Sequence, residues 1–106
     1  MKILVHDQEL EDLAKKYAKK CVWKHSDKNV RKTPKYSSIG ENLAYKYGTG
    51  YHPDFKTALK QAVKGWAEEV KHYNYFRNRC DYGKVCGHYT QLVWAKTEAV
   101  GCAGKR

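Results

Sequence analysis

Acidic residues are scarce in this chain: eleven Asp and Glu stand against twenty-one Lys and Arg, leaving a formal charge of +10. Long apolar runs are missing altogether. Nothing approaches the run of about 18 apolar residues that a membrane span requires, and Met1 to Val5 is too short to serve as a signal sequence. No internal repeat and no low-complexity tract is present, which excludes solenoids and disordered arrays. The four cysteines Cys21, Cys80, Cys86 and Cys102 lack the two close pairs of a zinc finger, which argues against a structural zinc module. A single long basic arm is also absent. The cations come in doublets along the chain (Lys15, Lys16; Lys19, Lys20; Arg31, Lys32; Arg77, Arg79), the pattern of a solvated cationic surface.

What remains is a chain of 106 residues, 42% hydrophobic, enough for one modest core and hence a single domain over residues 1–106. Its charge attracts anionic partners such as an acidic polysaccharide, nucleic acid or a membrane surface. For nucleic acid there is no element that would read bases, so that partner is not expected. Cys80 and Cys86 enclose the polar segment Asp81, Tyr82, Gly83, Lys84, whose turn composition brings two sulfurs together locally. A disulfide there requires an oxidising compartment, which implies export.

The chain alternates helices and polar loops. From Asp7, a capping residue, the positions Leu10, Leu13, Ala14, Tyr17, Ala18, Cys21 and Val22 follow three-and-four spacing, an amphipathic helix. One further turn of it would carry His25 onto the same inward face. Ser26 to Ser38, interrupted by Pro34, reads as a surface loop, and Gly48 to Pro53 as a second break. Asp54 then caps the clearest helix, with apolar face Phe55, Ala58, Leu59, Ala62, Val63, Trp66, Val70 and Tyr73. Position 69 falls on that stripe, so Glu69 points inward and Glu68 outward, and an inward carboxylate needs a partner. For His88 to Trp94 the spacing fits a strand or a short helix equally well. Ala99 to Ala103 reads as a short strand.

The run Gly87, His88, Tyr89, Thr90, Gln91, Leu92, Val93, Trp94 resembles the principal signature of the cysteine-rich secretory protein, antigen 5 and pathogenesis-related superfamily, the CAP superfamily. Three more segments match in order: Cys21 with His25 and Ser26; Gly40, Glu41, Asn42, Leu43, Ala44; and Trp66 with Glu69 and Tyr73. Val100, Gly101, Cys102, Ala103 resembles the strand after the signature. The resemblance implies an α+β fold, an α-β-α sandwich of the CAP type present in part, in an extracellular, secreted protein. The family's first helix has no counterpart before Asp7, and its last strands have none after Ala103. The resemblance also implies a cavity lined by His25, Glu41, Glu69 and His88, and it leaves Cys21 and Cys102 looking to cysteines beyond Arg106.

Several chemistries fit such a tetrad. Two imidazoles and two carboxylates suit zinc or another divalent cation, with His25 and His88 as ligands. They equally suit a hydrogen-bonded network without catalysis. Hydrolysis would need a nucleophile, for which Ser26, Ser37 and Ser38 are the nearby candidates. Tyr73, Tyr75 and Phe76 fall where some relatives bind sterols, and they also suit plain packing. The leading expectation is a secreted, non-enzymatic protein that binds a small apolar ligand, a sterol or fatty acid, or an extracellular protein. Binding of a glycosaminoglycan through the basic surface is the charge-driven alternative.

Overall fold

A computed structural model describes residues 3–47, 50 and 53–106. The chain divides into two compact units, residues 1–43 with 95–106, and residues 44–94. Helices and short strands occur in both, so the class is α+β, as expected.

The first unit is built around helix α1, Gln8–Ala18. Asp7 starts it as expected: its carboxylate accepts the Leu10 amide at 3.1 Å, filling one of the donors a helix leaves open at its start. Asp7 is also buried, and its second oxygen accepts the Tyr36 hydroxyl at 2.7 Å and the Lys35 ammonium at 3.2 Å. The Tyr36 hydroxyl and the Leu10 amide, helped by Lys35 against the opposing effect of burial, hold the Asp7 carboxyl down to about 2. One cap residue thus also ties the loop at Lys35 and Tyr36 to the start of α1.

The helix does not extend to His25. It closes at Lys19, and the Lys20 and Cys21 amides turn back to the Tyr17 and Ala18 carbonyls at 3.0 Å each. Cys21 itself takes a left-handed φ of 50°, incompatible with another helical turn. Tyr17 donates its hydroxyl to the Lys24 carbonyl and folds the following segment back. His25 is therefore presented from irregular backbone. The four lysines of the last turns favour an ending here, since their charge suits the negative end of the helix dipole but repels along its length.

Strand β1, Val5–His6, precedes α1, and β4, Ala99–Val100, pairs with it in parallel, Val5 opposite Ala99 and His6 opposite Val100. The expected strand over Ala99 to Ala103 is thus shorter, because Gly101 leaves the ladder to pass over α1. A side chain at Gly101 would stand 2.1 Å from the Glu11 amide nitrogen. Only glycine allows that approach.

In the second unit, α2 spans Phe55–Glu68 behind its expected cap Asp54, whose carboxylate accepts the Thr57 amide at 2.7 Å. The break expected over Gly48 to Pro53 lies largely outside the described residues. The α-helix ends earlier than its apolar spacing predicts: Glu69–His72 tightens into a 3₁₀ turn, and Tyr73–Asn74 begins strand β2. Strand β3, Arg79–Cys80, closes an antiparallel hairpin on β2. The sequence left His88 to Trp94 open between strand and helix, and it is a helix: α3 covers Gly87–Leu92. The disulfide Cys80–Cys86 is formed and links the hairpin to the start of α3.

Burial is shallow in both units. Among the described residues no side chain falls below 2% exposure, and Cys86 is the one buried apolar residue. Among the described residues no helix is long and apolar enough to cross a membrane.

Candidate functional site

Two histidine–glutamate pairs form, one in each unit, and their support differs. In the first unit Glu41 lies in the irregular segment before Asn42 and reaches back to His25 and Ser26. Its Oε1 accepts from His25 Nδ1 at 2.8 Å and from the Ser26 amide at 3.0 Å, while Oε2 accepts the Ser26 hydroxyl at 2.7 Å. Arg31 completes the ring: its Nη1 sits 2.9 Å from Glu41 Oε1 and donates to Ser26 Oγ at 3.2 Å. Burial works to raise the Glu41 carboxyl, but the Ser26 and His25 hydrogen bonds, the Ser26 amide and the Arg31 charge together outweigh it and leave it lowered. The imidazole stands at the outer edge, with its side chain 60% exposed.

In the second unit Glu69 opens the 3₁₀ turn, and its carboxylate meets the first turn of α3. Oε1 accepts the backbone amides of His88 and Tyr89 at 3.1 and 3.0 Å, and Oε2 accepts from His88 Nδ1 at 2.8 Å. The acid therefore caps α3 from outside, answering the open amides of a helix start. Glu69 is half-buried and Glu68 exposed, as the helical stripe implies. Trp66, one turn earlier on α2, stacks on the His88 ring with centroids 5.9 Å apart and planes 13° from parallel. His88 is accordingly held on two sides and only 27% exposed.

In each pair the carboxylate engages Nδ1, which fixes ring orientation and favours the tautomer with its proton on Nδ1. Within either unit the donor set is one imidazole and one carboxylate whose oxygens are already accepting. That falls short of the three or four ligands zinc takes, and among the described residues no group of three or more His, Cys, Asp and Glu side chains is placed to hold a metal ion. The Ser26 hydroxyl donates to Glu41 Oε2.

The aromatic residues separate. Tyr73 packs against Tyr89, ring centroids 5.7 Å apart, and donates its hydroxyl to Asn78 across the hairpin. Tyr75 and Phe76, at the hairpin turn, are 80% and 96% exposed, and their rings meet edge to face at 5.9 Å. Tyr82, within the disulfide loop, is also fully exposed. Cys21 and Cys102 carry free thiols; that of Cys102 is pushed up by burial and by the Glu11 charge.

Three contributors were not singled out from the sequence. Arg31 read as one more surface cation, yet it is half-buried against Glu41; the acid at 41 is ten residues away, and no spacing rule joins two irregular segments. Trp66 had been assigned to the apolar stripe without its stacking on His88. Tyr82 had read only as part of a turn.

The model of the cysteine-rich secretory protein family matches residues 1–106. Scoloptoxin SSD552 of Scolopendra dehaani is 44% identical over 104 residues, covering 96% of this chain and 46% of the toxin. Peptidase inhibitor 16 of Bos taurus is 43% identical over 96 residues, which is 91% of this chain and 18% of that protein. Pathogenesis-related protein PR-1 of Medicago truncatula is 38% identical over 104 residues, 94% of this chain and 51% of the relative. The chain thus spans about half or less of the length of these curated relatives.

Proposed function

This chain belongs to the cysteine-rich secretory protein family, and on that premise we propose that it is an extracellular, non-catalytic domain that binds the apolar part of a lipid, a sterol or an acyl chain, through the hairpin of β2 and β3. The observation that carries this reading is the exposure of Tyr75 and Phe76 at the turn of that hairpin. Two adjacent apolar rings held in water are unfavourable by an amount that their burial against a ligand returns, roughly 1.5–3 kcal/mol for a ring such as Phe76. The hairpin is already ordered by its strand pairing and by the turn bonds of the Arg77 and Asn78 amides, so little conformational entropy is lost on binding. An extracellular setting agrees with the Cys80–Cys86 disulfide and with the secretory character named in the family's description.

Support for a non-catalytic role lies in how the two glutamates are used. Each is occupied in orienting a histidine and in satisfying backbone amides, and the adjacent serine is bound to the acid. The pairs hold loops and helix starts in place.

Equilibrium binding of radiolabelled cholesterol and of a long-chain fatty acid to the full chain tests the proposal. Saturable binding that falls about tenfold or more in Phe76→Ser and persists in Glu69→Gln is expected. Absence of saturable binding of either probe, both free and carried in vesicles, or binding indifferent to Phe76→Ser, would overturn it. Peptide hydrolysis that disappears in His88→Ala would show that the pairs are catalytic.

A further inference from the structure

The hairpin of the second unit carries cations beside its exposed rings. Lys71 lies alongside Tyr75 and Phe76 around one shallow hollow, and Arg77 and Arg79 lie alongside Tyr82 around another. Neither arginine makes an ion pair among the described residues, and Asp81, the acid shared by the two hollows, faces His72 at 3.9 Å. Both hollows are open to solvent, whereas a site for a free small ligand encloses most of it. The tip is preset in shape: the Arg77 amide is held by Asn74 Oδ1 at 3.0 Å, the Asn78 amide by the Tyr75 carbonyl at 3.2 Å, and Asn78 takes the left-handed turn position with φ of 50°.

We infer that this hairpin docks tip-first on an anionic lipid bilayer, Tyr75 and Phe76 entering the headgroup zone while Lys71, Arg77 and Arg79 meet lipid phosphates. This rests on the reading that the hairpin is the binding element, and it adds that the lipid is met in a membrane rather than as a free molecule. Amphipathic rings flanked by cations are the composition that settles at a membrane interface. A protruding turn fits a planar partner, and the overall charge of +10 favours approach to a negative surface. Guanidinium groups without an internal counter-charge are free to bind phosphate in bidentate fashion.

Co-sedimentation of the full chain with vesicles tests this. Vesicles of phosphatidylcholine mixed with phosphatidylserine should bind it on the order of 100-fold more strongly than phosphatidylcholine alone, each of the three cations contributing roughly fivefold. Phe76→Ser should lower binding to the mixed vesicles about tenfold or more, and Arg77→Gln with Arg79→Gln roughly 25-fold. Lys15→Gln with Lys19→Gln, which removes the same charge from the end of α1 and its closing residue, should weaken it less than the arginine pair. Fluorescence of Phe76→Trp, taken above the wild-type signal, should be quenched by brominated acyl chains. Circular dichroism unchanged in Phe76→Ser would show that the fold persists, as expected for an exposed side chain. Equal binding to neutral and anionic vesicles, or binding to anionic vesicles indifferent to Phe76→Ser, overturns the inference. Saturable capture of free fatty acid without vesicle binding overturns it too, while leaving the broader reading intact; failure of both probes removes both.

Discussion

The two histidine–glutamate pairs perform the same local chemistry by different physics. Glu41 is balanced by a full charge, Arg31, together with a serine hydroxyl and amide. Glu69 is balanced by the partial charges of a helix start, two amides of α3, with no Lys or Arg ion pair among the described residues. The first pair joins two irregular segments and leaves its histidine mostly in solvent; the second joins two regular elements and packs its histidine under Trp66. Where secondary structure supplies the donors, the acid doubles as a cap. Where it does not, a cation has to be brought in. The same contrast runs through the fastenings of the units, one closed by strand pairing and a glycine contact, the other by a disulfide.

The strongest way to break the comparison is through the first unit's fastening. Gly101→Ala forces a methyl group into the Glu11 backbone, which cannot step aside as a side chain would. It should cost about 3 kcal/mol or more, measured by urea unfolding, with hydrogen-exchange protection lost first in α1. An unchanged midpoint would mean that β4 does not cross α1 so closely.

Next comes the difference in charge balance. Glu41→Gln strands the Arg31 charge and should cost about 2–3 kcal/mol. Glu69→Gln keeps an oxygen for the two α3 amides and should cost only about 1 kcal/mol. Equal costs in thermal unfolding would remove the distinction drawn between them. The disulfide provides a third comparison: Cys80→Ser with Cys86→Ser releases a short loop and should cost about 2 kcal/mol. Exchange should then quicken in residues 73–92 more than in α1.

The smallest effect at neutral pH, and the one confined to acid, concerns Asp7. Its folded carboxyl lies at about 2, below its ordinary 3.8, so the folded state holds that proton less tightly than the unfolded chain does. Its stabilisation is complete above about 3.8 and is lost as pH falls toward 2. Glu41, also lowered, acts in the same direction. Protection of α1 against exchange should therefore decay on acidification through this window, and the decay should flatten in Asp7→Asn, which keeps the cap but no longer titrates. An identical acid profile in the variant would show that other groups govern it.

Legibility followed the range of the interaction. Asp7 and Asp54 were readable as caps because a cap acts within three residues, and the Cys80–Cys86 bond because its turn is local. Glu69 was separable from Glu68 by helical spacing even though the turn there tightens to 3₁₀, since one residue of phase survives that change. Whether α1 would reach His25 was not legible: the lysine-rich ending and the left-handed Cys21 stop the helix, and periodicity carries no signal for a stop. The choice of helix over strand for His88 to Trp94 was likewise out of reach over seven residues. Glu69 tips it, by capping a helix start that lies nineteen residues away.

The sequence by itself determined the family, the two main helices and their caps, the local disulfide and the four His and Glu side chains of interest, because each is written in contiguous motifs or short spacings. Only the tertiary structure decided which glutamate serves which histidine's surroundings, that Arg31 is a half-buried counter-ion while Arg77 and Arg79 are not, and that Tyr73 packs while Tyr75 and Phe76 face water. Those outcomes depend on the folding back of segments far apart in the chain, where a difference in partner and not in residue type sets the energy. Two arginines look alike in a sequence. What separates them is the carboxylate that the fold does or does not bring within reach.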